Sequence, residues 1–307
     1  MPGLRSETMT VNMGPQHPST HGVLRLVLEL DGETVLSAAP TIGYLHTGIE
    51  KTAEQKKWQQ VIPLVERMDY LSAQSNSMAF CMSVEALLGL EVPQRVVDIR
   101  VLIAELQRIN SHLVWLGTHG MEVGAVSVML YCFRERELLL NINELLAGFR
   151  LFPSYMRVGG LREDLPRGFH DAVRSFLDRF GPKLDEYEDL LTNNEIYLKR
   201  TQGVGVISKA DAVAFSLAGP IARGAGVDYD VRKCFPYLGY RPTISWSRFR
   251  AVATCTPAIS CGWRRCGKAS RFAARRWSGF RRPVRSPSTT RGSPRRPRTG
   301  STRRWRR

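Results

Sequence analysis

The spacing of apolar residues along this chain changes period near residue 50. Before that point, 9–13 alternates loosely and predicts a strand, and 23–30 (VLRLVLEL) leans towards β structure. Asp31-Gly32 supplies a hairpin turn, and Thr34, Val35 and Leu36 return from it, so a small antiparallel sheet is expected. Beyond it the spacing turns helical. A helix should begin near Glu50. Residues 70–90, with Tyr70, Ala73, Met78, Cys81, Val84, Leu87 and Leu88, predict an apolar-rich helix. Pro93 interrupts, and 97–117 then keeps Ile99, Leu102, Ile103, Leu106, Ile109 and Leu113 at helical spacing. Residues 123–146 predict another long helix, and 168–192 a fourth, amphipathic and well charged. Arg134-Glu135-Arg136-Glu137 predicts a charged face with pairs inside its own helix. Residues 201–207 hold two glycines but lack the strand, third glycine and helix start of a dinucleotide site, and read as a turn. Asp228 to Lys233 closes the regular pattern.

Between the first two strands lies Gly14-Pro15-Gln16-His17-Pro18-Ser19-Thr20-His21-Gly22. Two prolines fix φ and remove two backbone donors, and two glycines bracket the run. It reads as neither helix nor central strand. A stiff loop presenting His17 and His21 is a candidate functional site. Composition alone leaves a plain turn with surface histidines equally open.

With 307 residues, 43% of them hydrophobic, the chain suffices for one large domain or two ordinary ones. Its longest apolar runs, such as 126–133, fall short of the roughly 18–20 residues a membrane span needs and suit a buried helix. No charged stretch leads into an apolar one at the start, so no secretory signal is expected. Cys81, Cys132, Cys234, Cys255, Cys261 and Cys266 form no C-x-x-C pair. Neither a zinc knuckle nor an iron–sulfur run is read, and a reducing, cytoplasmic setting fits.

The formal net charge of +16 divides unevenly. Of the 44 Lys and Arg, 20 lie beyond residue 240, where there is no Asp or Glu; residues 1–240 thus carry 24 basic and 28 acidic groups, a net of −4. The two parts, 1–240 and 241–307, are read as separate units. The second is an Arg/Pro/Ser-rich stretch without periodicity. One reading is a disordered basic arm that binds nucleic acid or anionic lipid. The other, favoured here, is translation out of frame: residues 252–266 can be back-translated so that a shifted frame reads Gly-Asp-Val-Tyr-Ala-Arg-Tyr-Leu-Val-Arg-Val-Glu-Glu-Met, balanced in charge and helix-forming.

Residues 9–240 resemble the 49 kDa-type subunit family of NADH–quinone oxidoreductase, respiratory complex I. The resemblance rests on GPQHPSTHGVLRL at 14–26, IGYLHTGIEK at 42–51, RMDYL at 67–71, RINSHLVWLG at 108–117, FRERE at 133–137, GGLREDLP at 159–166, GVGVI at 203–207 and YDVRKCFPYLGY at 229–240. It implies an α+β, helix-dominated fold like the [NiFe] hydrogenase large subunit, with an N-terminal antiparallel β-sheet. A hydrogenase activity is disfavoured: that site needs soft thiolate pairs, and Met68-Asp69-Tyr70-Leu71-Ser72 has no cysteine where the first pair would fall.

The resemblance further implies a subunit that binds a quinone, menaquinone or ubiquinone, as substrate and holds no cofactor of its own. Electrons would come from an iron–sulfur cluster in the neighbouring small subunit. His21 and Tyr70 would be the headgroup partners, and Glu122 the acid paired with His21. An imidazole titrates near 6.5, which makes it a ready proton donor, and a nearby carboxylate strengthens its hold on the proton. Aspartate is usual at the Glu122 position, so the longer side chain is a departure. Phe152 is a second: many members carry histidine there, close to the cluster. Phenylalanine cannot donate a hydrogen bond to cluster sulfur, which would lower the cluster's potential and suit a low-potential quinone. Arg67 would lie near the cluster or pair with a carboxylate. Implied partners are the other complex I subunits: the small cluster-bearing subunit, the 30 kDa-type subunit and the membrane subunit forming the quinone entry, with no nucleic acid. The implied location is peripheral, on the cytoplasmic side of the bacterial plasma membrane.

Overall fold

The computed structural model describes residues 8–17 and 22–240. His21 and the whole 241–307 stretch, with the frame-shift and basic-arm readings made of it, lie outside the described residues. The chain divides into two compact units, residues 1–55 and residues from 56 onward.

The first unit is the expected sheet. Strands β1 (Met9–Met13), β4 (Arg25–Asp31) and β5 (Thr34–Thr41) lie in the order β1-β4-β5, antiparallel throughout. Met9 pairs with Leu30, Asp31 with Thr34, and a register shift falls between Glu29 and Leu30. Asp31-Gly32 makes the turn, with Gly32 at φ 61. The proline loop departs from expectation. Its flanks are two short strands, β2 (Gln16–His17) and β3 (Gly22–Val23), paired antiparallel with His17 opposite Gly22. Gly14 is required here: at φ 89, a Cβ would stand 2.1 Å from the carbonyl oxygen of Leu24. Helix α1 (Ile49–Glu54) follows the sheet.

The second unit is helical. Its axis is an antiparallel pair, α4 (Gln94–Glu122) and α5 (Val126–Ala147). The predicted 97–117 helix is thus extended by about a turn at each end. The faces of α4 carrying Ile99, Leu102, Ile103, Leu106, Ile109 and Leu113 form the core, and all six are buried. Near the joined ends the helices approach closely over glycine: a Cβ on Gly117 would meet Met129 Cα at 3.2 Å, and one on Gly120 would meet Val128 Cβ at 3.1 Å. Helices α2 (Trp58–Glu66), α3 (Ala73–Leu88) and α6 (Phe169–Tyr187) pack around this pair. Helix α6 buries Phe169, Val173, Phe176, Phe180 and Tyr187 on one stripe, with Phe176 and Phe180 stacked at 5.1 Å. A π-helical turn, Glu188–Thr192, extends it to the predicted end. Short helices α7 (Glu195–Thr201), α8 (Lys209–Ala214), α9 (Gly219–Gly224) and α10 (Val231–Cys234) follow, with residues 202–207 left as a turn. The segment then drives Tyr240 into the core, where its hydroxyl donates to Glu105 at 2.5 Å.

One expectation fails and another holds only in part, each for a physical reason. Tyr70 is not in the helix read over 70–90, which begins at Ala73. Asp69 diverts the backbone: its carboxylate accepts from the Leu71 N–H at 3.1 Å and its carbonyl from Ser72 N–H at 3.0 Å, closing a turn instead. The FRERE run does carry a pair inside its own helix, Arg134 to Glu135 at 2.7 Å, but it is not simply a surface face. Glu135 is buried and accepts from the Tyr187 hydroxyl of α6, while Arg134 bridges to Glu186 at 3.0 Å and Glu137 takes Arg150 at 2.5 Å from the following loop. These charges join α5 to its neighbours.

Candidate functional site

The RMDYL stretch closes α2 and turns into α3. Arg67 caps the end of α2, donating to the Pro63 carbonyl at 2.6 Å, and Leu71 is tied to α4 by a 2.5 Å bond from the Gln107 amide to its carbonyl. The pinned turn between them projects Tyr70 outward, 59% exposed, and its hydroxyl makes no hydrogen bond among the described residues. A phenol on a rigid turn with its O–H free suits a donor to an incoming carbonyl.

Arg67 and Phe152, which the sequence suggested separately, are brought together: the guanidinium lies over the Phe152 ring, 4.8 Å from its centre. No carboxylate ion pair of Arg67 is seen among the described residues. Phe152 stands in the segment that leads from α5 into a small hairpin, β6 (Met156–Arg157) and β7 (Gly160–Leu161). A buried ion pair fixes that hairpin. Arg100 of α4 donates to Glu85 of α3 at 2.6 and 2.9 Å and to the carbonyls of Arg157 and Gly160 at 2.7 and 3.0 Å; the Gly159 N–H donates to Glu85 at 2.6 Å. Burial pushes the Glu85 carboxyl up, but Arg100 and the Gly159 N–H outweigh it and hold it below the ordinary carboxylate range.

Glu122 is the last residue of α4 and is exposed. No hydrogen bond joins it to Tyr70. Leu71 is held at Gln107, about 22 Å of helix axis before Glu122 at 1.5 Å per residue. The bend behind Glu122 depends on Gly124 at φ 92, where a Cβ would fall 2.6 Å from the Arg200 guanidinium; Arg200 in turn donates to the Val123 carbonyl at 2.6 Å. Helix α7 thus buttresses the bend that follows the acid.

Sequence reasoning missed two groups. His119 lies one turn before Glu122, half-buried between Trp115, stacked at 5.9 Å, and Tyr197, whose hydroxyl is 3.4 Å from its Nε2. Burial lowers its pKa, and Glu122 pulls the other way. The i, i+3 spacing of the two was the available signal. Glu66, next to Arg67, is 0% exposed and bonded to Ser154 at 2.7 Å. Nothing in its neighbourhood along the chain marks it as buried.

Of the described cysteines, Cys81 and Cys132 are buried on α3 and α5 and Cys234 is exposed on α10. Among the described residues no group of three or more His, Cys, Asp or Glu gathers where it could hold a metal ion. These residues do not fit an iron–sulfur cluster, which takes thiolate ligands. Among the same residues no helix is long and apolar enough to cross a membrane.

The family model for the 49 kDa subunit of respiratory-chain NADH dehydrogenase matches residues 122–247. The chain is 57% identical over 236 residues to the second D-type subunit of the NADH-quinone oxidoreductase of Koribacter versatilis, covering 77% of this chain and 59% of that protein. It is similarly 57% identical over 236 residues to the second D-type subunit from Chloroflexus aurantiacus, covering 77% of this chain and 57% of that one. The D-type subunit from Citrifermentans bemidjiense is 54% identical over 237 residues, with 77% of this chain and 61% of that protein covered. The chain spans less than two thirds of the length of these curated relatives.

Proposed function

We propose, from a chain that belongs to the 49 kDa subunit family of NADH–quinone oxidoreductase over the stretch it shares with these relatives, that it is the quinone-binding subunit of that proton-pumping complex. The observation that carries this reading is the long match itself; the outward Tyr70 on its pinned turn supports it. The fold would share the hydrogenase large-subunit arrangement, without that enzyme's metal chemistry.

Quinone reduction takes two electrons and two protons. The electrons arrive from an iron–sulfur cluster held by the neighbouring small subunit. This chain supplies donors and protons. Tyr70 donates its O–H to one quinone carbonyl and His21 its ring N–H to the other. A phenol is a weak acid, so its proton leaves as electrons reach the headgroup and raise the basicity of the carbonyl oxygen. His21 gives the second proton and is recharged through Glu122, with His119 one turn behind that carboxylate. His17 supports the loop. Arg67 and Phe152 form the wall facing the cluster. The subunit binds no NADH, and sits peripherally on the cytoplasmic side of the bacterial plasma membrane against the small cluster-bearing subunit, the 30 kDa-type subunit and the membrane subunit that admits quinone.

The test is quinone reductase activity in membranes after His21→Ala and Tyr70→Phe. Activity should fall by about 100-fold or more, as for loss of a positioned proton donor, while the complex still assembles. Normal rates in both variants, with assembly confirmed, would defeat the assignment.

A further inference from the structure

Two adjacent residues grip one segment. Arg67 covers the Phe152 ring, and Glu66, immediately before it, holds Ser154 two residues beyond Phe152. Ser154 has φ 43, a left-handed backbone that L side chains seldom adopt, so something must keep it there. Glu66 is placed to do so. Its Oε2 accepts from the Ser154 hydroxyl at 2.7 Å, and the Ser154 N–H bears on the same carboxyl. Its Oε1 is enclosed without a hydrogen bond. The Ser77 hydroxyl, turned towards the carbonyls of Ala73 and Gln74, sits beside it. Gln74, also 0% exposed, has neither side-chain amide atom bonded among the described residues. A fully buried carboxyl with few partners is an unusual choice for packing alone.

We propose that Glu66 is a positioning residue: together with Arg67 it clamps the 152–154 segment, and gain or loss of its proton changes how firmly Phe152 is held. Ionised, the carboxylate offers acceptors to both Ser154 donors. Protonated, one oxygen becomes a donor, and the match to two donors is lost. The charged groups that face it are few. Arg157 of β6 favours the ionised form; Cys81 of α3, pushed up to about 11 by burial, stays neutral; the Glu85–Arg100 pair lies beyond Cys81. Burial outweighs these donors and holds the Glu66 carboxyl above the ordinary carboxylate range. The clamp therefore responds closer to neutral pH than a surface carboxylate would. The clamp stands on this geometry alone; its relevance to quinone reduction rests on the function proposed above.

The experiment places 4-fluorophenylalanine at position 152 of the full-length chain and follows its 19F NMR signal against pH. The wild-type signal should titrate in one step, with its midpoint above the ordinary carboxylate range. In Glu66→Gln, which keeps an acceptor for Ser154 but cannot titrate, the signal should stay fixed. In Ser154→Ala, which removes one donor to the charged form, the midpoint should move up. A wild-type signal that does not titrate, a titration that survives in Glu66→Gln, or an unmoved midpoint in Ser154→Ala overturns the clamp. In the assembled complex, Glu66→Gln should flatten the pH profile of kcat with KM unchanged. An unaltered profile there, with His21→Ala and Tyr70→Phe still impaired, removes Glu66 from the reaction and leaves the quinone reading standing. A fluorine titration as expected beside fully active His21→Ala and Tyr70→Phe does the reverse.

Discussion

Replacing Arg100 with methionine should be among the most damaging single changes in the helical unit. Its side chain is 0% exposed and that of Glu85 7%. Removing the guanidinium strips Glu85 of two charge-assisted bonds and leaves a carboxylate inside the fold with the Gly159 N–H as its remaining donor. The Arg157 and Gly160 carbonyls lose their partner in the same step. Breaking a buried pair on one side costs about 3–5 kcal/mol. At roughly 2–4 °C per kcal/mol for a chain of this size, Tm should fall by about 6–20 °C. Circular dichroism during thermal and urea unfolding measures it. Glu85→Leu combined with Arg100→Met should recover part of the loss, since no charge is then stranded. The pH dependence supplies a second reading. The Glu85 carboxyl is held below its ordinary value of 4.5 in the fold, so its contribution is present above that pH and disappears as pH falls through the folded value. Wild type and Arg100→Met should therefore converge in stability under acid. A cost below about 1 kcal/mol, the range of an exposed pair, or curves that stay parallel to low pH, would refute the account of this pair as the fastener of the hairpin.

Gly124→Ala should destabilise the chain by about 1–2 kcal/mol, because it combines a left-handed backbone with a Cβ placed against Arg200; chemical denaturation checks it, and Arg200→Ala should relieve the steric share. Brief alkylation of the native chain followed by peptide mass spectrometry should label Cys234 while sparing Cys81, which is buried with its thiol pushed up to about 11; equal labelling of the two would contradict the burial.

The hairpin, the long helices and the stripe of α6 were legible because each rests on a local period that its residues repeat several times. Helix ends were less so. Tyr70 fell outside its expected helix because one side chain, Asp69, captures the backbone, and apolar spacing does not register such a bond. Glu135 read as surface because its neighbours are charged, yet Tyr187 of a later helix receives it in the core. Glu66 was invisible for the same reason at longer range: its partner Ser154 lies 88 residues away. Of the candidate site, the pairing of Arg67 with Phe152 emerged only in three dimensions, although both residues had been singled out.

Helix α5 also sets a distance. Its 22 residues put its own two ends about 33 Å apart, at 1.5 Å of rise per residue. Two unit charges so separated interact by only about 0.5 kcal/mol at an effective dielectric constant of 20. Proton traffic at one end is thus electrically almost silent at the other. The glycine contacts near Gly117 and Gly120 leave little slack between α4 and α5 where they join. Adding or deleting one residue in α5 would rotate everything beyond it by about 100°, which makes the length of this helix, more than its composition, the quantity that variation can least afford to change.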